Sequence, residues 1–349
     1  MSFNSAAAFE LALGFHRAGK LSEAERLYRE ILMNEPRHAD SLHLLGVAAR
    51  QQGCNEMAAE LIGQAIAIDG AAAAYHCNLG NALSDLGRTE EAIAAYRTAV
   101  ALKPDFPEAH FNLGNALEQA GRTEDAIAAF NQALHHRPTF AEAYTNLGVA
   151  LGRAGQRQEA VAAHCTAIRL NPNFAGARFN LGVELRTIGY LDQAVNAFLA
   201  ALQLRPHHAE THINLASCLC EAGDYDRAAD MFETAIKLDW KSAEAHNGLA
   251  AVQLCRGKVT LAIEACQEAI RLRPDYAEAH NNLGNAYKDL GRFEEAVDSY
   301  NAAIRLKPDY VTAYSSLLLC QHYRSDLTPD EIMAETSRFA ARFGQVQAA

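Results

Sequence analysis

Apolar residues recur along this chain at helical spacing, in two stripes for every 34 residues. Residues 105–138 show the pattern. Ala109, Leu113, Ala116 and Leu117 share one face of a helix, and Ala126, Ile127, Phe130, Ala133 and Leu134 share one face of a second. Gly121 stands between them, placed to end the first helix in the left-handed conformation. Thr123 restarts the chain, with Glu124 and Asp125 in a first turn where the helix dipole favours acid. Pro138 bars continuation of the second helix. Asp105 with Glu108 has capping-box spacing, repeated by Thr139 with Glu142 and by Asp275 with Glu278. The expectation is a helix hairpin that begins at a side-chain cap.

Self-comparison puts these hairpins in one register. Gly46, Gly80, Gly114, Gly148, Gly182 and Gly284 lie on a 34-residue grid whose remaining slots hold Ala216 and Ala250. Seven residues later an unbroken grid runs through Gly53, Gly87, Gly121, Gly155, Gly189, Gly223, Gly257 and Gly291, joined by Gly19. Alanine recurs from Ala24 to Ala296, and proline from Pro36 to Pro308, with Gly70 and Trp240 in proline's place. One hairpin has too little core to fold alone, so stacking must supply the rest. The small residues on the first grid let paired helices approach closely, while Tyr96 or Phe130 wedges against the neighbouring unit. The predicted fold is all-α: nine tandem 34-residue hairpins starting near 5, 39, 73, 107, 141, 175, 209, 243 and 277, with a partial unit from 311. Residues 325–349 leave the register. Thr328-Pro329-Asp330-Glu331 reads as a helix start, and the expected element is a capping helix or a docking linker.

The spacing of Leu113, Gly114, Gly121, Ala126, Phe130, Ala133 and Pro138 resembles the tetratricopeptide repeat (TPR). The resemblance covers residues 5 to about 324, and it implies a right-handed α-solenoid, a superhelix whose first helices line the concave face. The phrase Ala277-Glu-Ala-His-Asn-Asn-Leu-Gly-Asn285 is similar to the TPR region of bacterial O-linked N-acetylglucosamine transferase-like proteins. So is the run from Tyr314 through His322-Tyr323 to Leu327-Thr-Pro-Asp-Glu-Ile332. That family's catalytic domain is not expected within these 349 residues, which read either as a truncated piece or as a stand-alone descendant.

Composition narrows the function. Half the residues are apolar and the formal net charge is −11, which fits neither a disordered chain nor a general nucleic-acid binder. No apolar run suits a membrane span, and no secretory signal opens the chain. Eight cysteines without a C-x-x-C pair are expected as free thiols, mostly in the core, in a reducing cytoplasm. No nucleophile elbow, phosphate loop, dinucleotide fingerprint or zinc-helix motif occurs, so neither catalysis nor a cofactor is expected of the array itself.

The candidate site is an asparagine ladder. Asn78, Asn112, Asn146, Asn180, Asn214 and Asn282 stand two residues before the first grid, with Leu44 and Gly248 breaking the row. Asn81, Asn115 and Asn285 follow three residues on, sharing that face and lying off the apolar stripe. A carboxamide offers two donors and an acceptor, matching a peptide unit, so such a row can grip an extended polypeptide by its backbone. The resembled transferases hold protein substrates in this way. The same amides could instead bond adjacent helices and stiffen the array. Phe111 and Phe179 stand beside the ladder, either to seat a ligand's apolar side chains or to pack.

Arg50, Arg153 and Arg186 alternate with Asp85, Glu118, Glu221 and Asp289, so no charge sign dominates. His76, His110, His212, His246 and His280 occupy one repeat slot, expected to pack between helices and not to hold metal. His135-His136 and His207-His208 point apart on their helices and suit chelation poorly. Three functions remain: a cytoplasmic scaffold for extended protein or peptide ligands, the recruiting arm of a glycosyltransferase, and a self-assembling array.

Overall fold

The computed structural model describes residues 4–323 and, beyond them, residues 328, 330, 333, 334, 336 and 337. The expected capping element at 325–349 lies, apart from those isolated positions, outside the described residues. Two compact units divide the chain, Met1–Asn173 and Phe174–Ala349. Trp240, in proline's place, falls inside the second unit.

The first unit contains α1 (Ser5–Arg17), α2 (Leu21–Asn34), α3 (Ala39–Gln51), α4 (Asn55–Ile68), α5 (Ala73–Asp85), α6 (Thr89–Leu102), α7 (Pro107–Gln119), α8 (Thr123–His136), α9 (Ala141–Arg153) and α10 (Arg157–Leu170). The second contains α11 (Ala175–Thr187), α12 (Leu191–Leu204), α13 (Ala209–Glu221), α14 (Tyr225–Leu238), α15 (Ala243–Cys255), α16 (Val259–Leu272), α17 (Ala277–Asp289), α18 (Phe293–Leu306) and α19 (Val311–Gln321). No strand occurs among the described residues. Each unit is a stack of consecutive hairpins. Within it, first helices touch the next first helix, as α5 touches α7 and α13 touches α15. The crowding of first helices marks the inner side of each stack.

The repeat grids have direct packing meaning. All nine residues of the alanine grid, from Ala24 to Ala296, are completely buried. A Cβ on Gly114 would lie 2.5 Å from the Phe130 ring, and one on Gly182 would lie 2.7 Å from Phe198. The aromatic ring therefore occupies the volume that a side chain on the facing helix would need. Gly121 has φ 72°, and the rest of its grid is equally left-handed. The Arg122 amide returns to the Leu117 carbonyl at 2.9 Å, closing the first helix before the second begins.

The expected side-chain caps are not used. Phe106, Phe140 and Tyr276 are the N-cap residues of α7, α9 and α17, and none makes a side-chain cap hydrogen bond. Asp105, Thr139 and Asp275 stand one residue too early. Packing decides the start: Phe106 and Phe140 fill the seam beside the core. A cation from the preceding turn then covers each ring, Lys103 over Phe106, Arg137 over Phe140 and Arg273 over Tyr276. Glu108 pairs instead with Arg137, and Glu278 with Lys307 at 3.3 Å.

Histidine supplies a different tie at the helix start. The Nε2 atoms of His76, His110, His212, His246 and His280 each lie 2.8–3.1 Å from the carbonyl six residues earlier. Nε2–H donates, so each ring pins the inter-repeat turn to the first helix. His212→Ala is expected to cost about 1 kcal/mol, one net hydrogen bond. Faster amide exchange confined to the start of α13 would show it, whereas unchanged exchange there would remove the pin from the account.

Candidate functional site

Every asparagine of the predicted ladder is half-buried on its first helix. Hydrogen bonds across repeats link four of them to one another, Asn81 with Asn112 and Asn115 with Asn146. In the first unit, Asn78 Nδ2 donates to His43 Nε2 at 2.8 Å. Asn81 Nδ2 donates to Asn78 Oδ1 at 3.3 Å, and Asn112 Nδ2 to Asn81 Oδ1 at 2.9 Å. One amide chain thus runs over α3, α5 and α7. A second link joins α9 to α7, with Asn146 Nδ2 donating to Asn115 Oδ1 at 2.7 Å.

The second unit repeats the device in part. Asn282 Nδ2 donates to Asn247 Oδ1 at 2.9 Å, and Asn247 Nδ2 lies 3.4 Å from the Tyr276 hydroxyl. Asn214 turns back onto its own helix and donates to the Glu210 carbonyl at 3.0 Å. Asn180 is half-buried on α11.

Tyrosine hydroxyls of the second helices anchor two of the amides. Tyr96 donates to Asn81 Oδ1 and Tyr300 to Asn285 Oδ1, each at 2.8 Å. Sequence reasoning missed both, although a signal was present. Fifteen residues before the wedge tyrosines Tyr96 and Tyr300 stands an asparagine, whereas Tyr28 has Leu13 in that place and its hydroxyl lies 3.3 Å from His16 Nδ1 instead. His43 and Asn247 stand outside the asparagine grids, and no periodicity marks them.

The two phenylalanines have packing partners. Phe111 contacts the Phe130 and Phe140 rings at centroid distances of 6.0 and 4.8 Å, at the margin of the core. Phe179 meets Phe198 at 5.8 Å and His208 at 5.6 Å. The alternating charges also pair across repeats: Arg50 with Asp85, Arg153 with Glu118 and Arg186 with Glu221, each at 2.7 Å.

Between α7 and α9 the ladder opens into a recess of about 630 Å³, lined by Asn115, Glu118, Gln119, Phe130, Asn146, Val149 and Arg153. Both ladder amides sit in its wall. Glu118 Oε2 is taken by Arg153, while Oε1 is buried with no protein partner. The recess therefore joins an apolar floor to an amide pair, an ion pair and one uncommitted acceptor. Among the described residues no cluster of three histidine, cysteine or acidic side chains is arranged to hold a metal ion. None of the described helices is long and apolar enough to cross a membrane.

Stacked hairpins of 34 residues, closed by left-handed glycines and wedged by rings over glycine, define an all-α helical-repeat protein. Models described as tetratricopeptide repeat match residues 9–75, 80–121, 107–140, 145–209, 189–252, 256–291 and 277–310. Together they cover most of the chain, which is built of tetratricopeptide repeats. No curated protein matches it.

Among solved structures, the chain is similar to YrrB, described as a TPR protein with an unusual peptide-binding site, at 27% identity over 54% of this chain and 96% of that one, with TM-score 0.48. It is similar to MamA at 25% identity over 49% and 93%, with TM-score 0.44. The likeness to Pseudomonas aeruginosa pilF, at 20% identity over 60% and 95% with TM-score 0.53, shows the shared fold.

Proposed function

We propose that this protein is an interaction scaffold whose first-helix faces bind polypeptide in extended conformation, with the recess between α7 and α9 as one binding element. Proteins built of these repeats bind protein or peptide partners, which sets the class of ligand. The recess carries the reading: in a solvent-open hollow, Asn115 and Asn146 keep a further amide N–H beyond the bond they share. An extended strand presents a carbonyl and an N–H at every residue, so the amide pair serves its backbone with weak dependence on sequence. The amides at Asn78, Asn81, Asn112, Asn180, Asn214, Asn282 and Asn285 extend the same chemistry along each unit. Phe111 and Phe179 are assigned to packing, since their rings are engaged by the helices that hold them.

The test is a peptide-library titration of the double variant Asn115→Ala, Asn146→Ala. Losing two ligand hydrogen bonds should weaken binding by about tenfold, at about 0.5–1.5 kcal/mol per bond. A melting temperature that falls while affinity holds would make the amides structural and overturn the reading.

The phrase at 277–285 favours a second reading, the recruiting arm of a protein glycosyltransferase. Captured partners should then carry O-linked N-acetylglucosamine, and unmodified partners would remove it. Self-assembly is separated by sedimentation across concentration, in which a scaffold for other chains keeps a fixed mass.

A further inference from the structure

The charge pairs between neighbouring first helices follow one register. The residue four places after the glycine grid in one repeat meets the residue five places after it in the next: Arg50 after Gly46 meets Asp85 after Gly80. Glu118 meets Arg153 and Arg186 meets Glu221 in the same slots. In the second unit, those two slots on α13 and α15 are filled by Cys220, after Ala216, and Cys255, after Ala250.

Three observations bring the sulfurs together. The slots are occupied elsewhere by side chains in direct contact, and α13 packs on α15. Burial raises the Cys220 thiol to about 11, with the negative charge of Cys255 next in effect, so the two groups sense each other. Cys255 is exposed and Cys220 half-buried, which leaves one sulfur open to a reagent and the other beside it. Other buried cysteines, such as Cys266, pack inside the hairpins.

We propose that Cys220 and Cys255 form a redox modification site, a dithiol that a low-molecular-weight disulfide such as oxidised glutathione converts into an inter-repeat disulfide. The Cys255 thiolate attacks one sulfur of the reagent, forming a mixed disulfide and expelling the first glutathione thiolate. Cys220 then loses its proton to solvent and attacks the Cys255 sulfur, expelling the second. Two protein thiols are oxidised to one disulfide, one reagent disulfide is reduced to two thiols, and no other oxidant is required. The bond ties α13 to α15 on the inner face, where neighbouring repeats are tied by ion pairs.

The test treats the folded full chain with oxidised glutathione, blocks remaining thiols and maps peptides without reduction. The peptide carrying Cys255 should be linked to the peptide carrying Cys220, and a thiol reductant should release it. In Cys220→Ser the linked species should fall at least tenfold, with Cys255 keeping glutathione, as the exposed Cys54 and Cys165 should do in both proteins. Three results would overturn the proposal: stable glutathione on Cys255 in the unsubstituted protein, linkage between two molecules through Cys255, or a linked peptide undiminished in Cys220→Ser. Matching helical circular dichroism of the variant shows that its fold is retained.

Discussion

Gly248→Asn, which would fill the gap in the asparagine row between Asn214 and Asn282, is expected to destabilise the second unit by about 1–3 kcal/mol, the range for overpacking a filled site. The ring of Phe232 lies where the new Cβ would go, 2.3 Å away. Phe232 occupies the wedge slot of Phe130 and Phe198, but its hairpin has Ala216 where theirs have Gly114 and Gly182. A Cβ at Gly114 would meet the Phe130 ring at 2.5 Å, so Ala216 leaves no room for a ring in that pose. The ring lies against Gly248 instead, and the row loses its asparagine there. Adding Ala216→Gly should make room and recover much of the loss. A double-mutant cycle by chemical denaturation should show coupling above about 1 kcal/mol. Strictly additive effects would mean that Ala216 does not set the ring's position.

The same logic explains which parts of the molecule sequence periodicity could reveal. Left-handed glycines and buried alanines recur in every hairpin, and wedge rings in most, because each hairpin solves the same packing problem, so they stand out on comparison. The interruptions of the asparagine row need the partners to be known. Ala12 stands on the glycine grid opposite the buried Tyr28, and Leu44 in the next repeat packs on that cluster. Ala250 is paired with a smaller wedge, Cys266, and the row continues at Asn282. The hairpins start where the register puts them, but the cap residues differ because a capping box is a local signal, whereas Phe106 and Phe140 answer to the seam between hairpins and to the cation above each ring. The recess could be approached only in part: Asn115 and Asn146 lie on periodic rows, but Glu118's second oxygen is left over by a pairing that only three dimensions display.

His164→Phe should stabilise the first unit and remove much of its sensitivity to acid. His164 is completely buried in the wedge slot, over Gly148, and both ring nitrogens lack a hydrogen-bond partner. Burial pushes its pKa down to about 4 from 6.5. Above about pH 6.5 the ring is neutral whether the chain is folded or unfolded, and the shift carries no penalty. As the pH falls below that point the unfolded chain takes up a proton that the fold refuses, so stability falls. The loss levels off near pH 4 at about 3 kcal/mol, from 1.36 kcal/mol per pKa unit. His43, also held down to about 4 by burial, adds a second such group in the same unit. Its protonation would also end its acceptance of the Asn78 amide.

Phenylalanine already fills this slot over glycine at Phe130 and Phe198, so the substitution asks for no new geometry. At pH 7 it should gain about 1–3 kcal/mol by replacing two unpartnered polar atoms with carbon. Between pH 6.5 and 4 the variant should lose markedly less stability than the parent, the remainder belonging to His43 together with His16 and His110, whose pKa values burial also lowers. Because unfolding of a repeat array need not be two-state, the measurement is segment-resolved hydrogen exchange over α9 and α10 across that pH range. Equal acid sensitivity of those helices in parent and variant would show that His164 finds a partner or water on protonation and is not the group responsible.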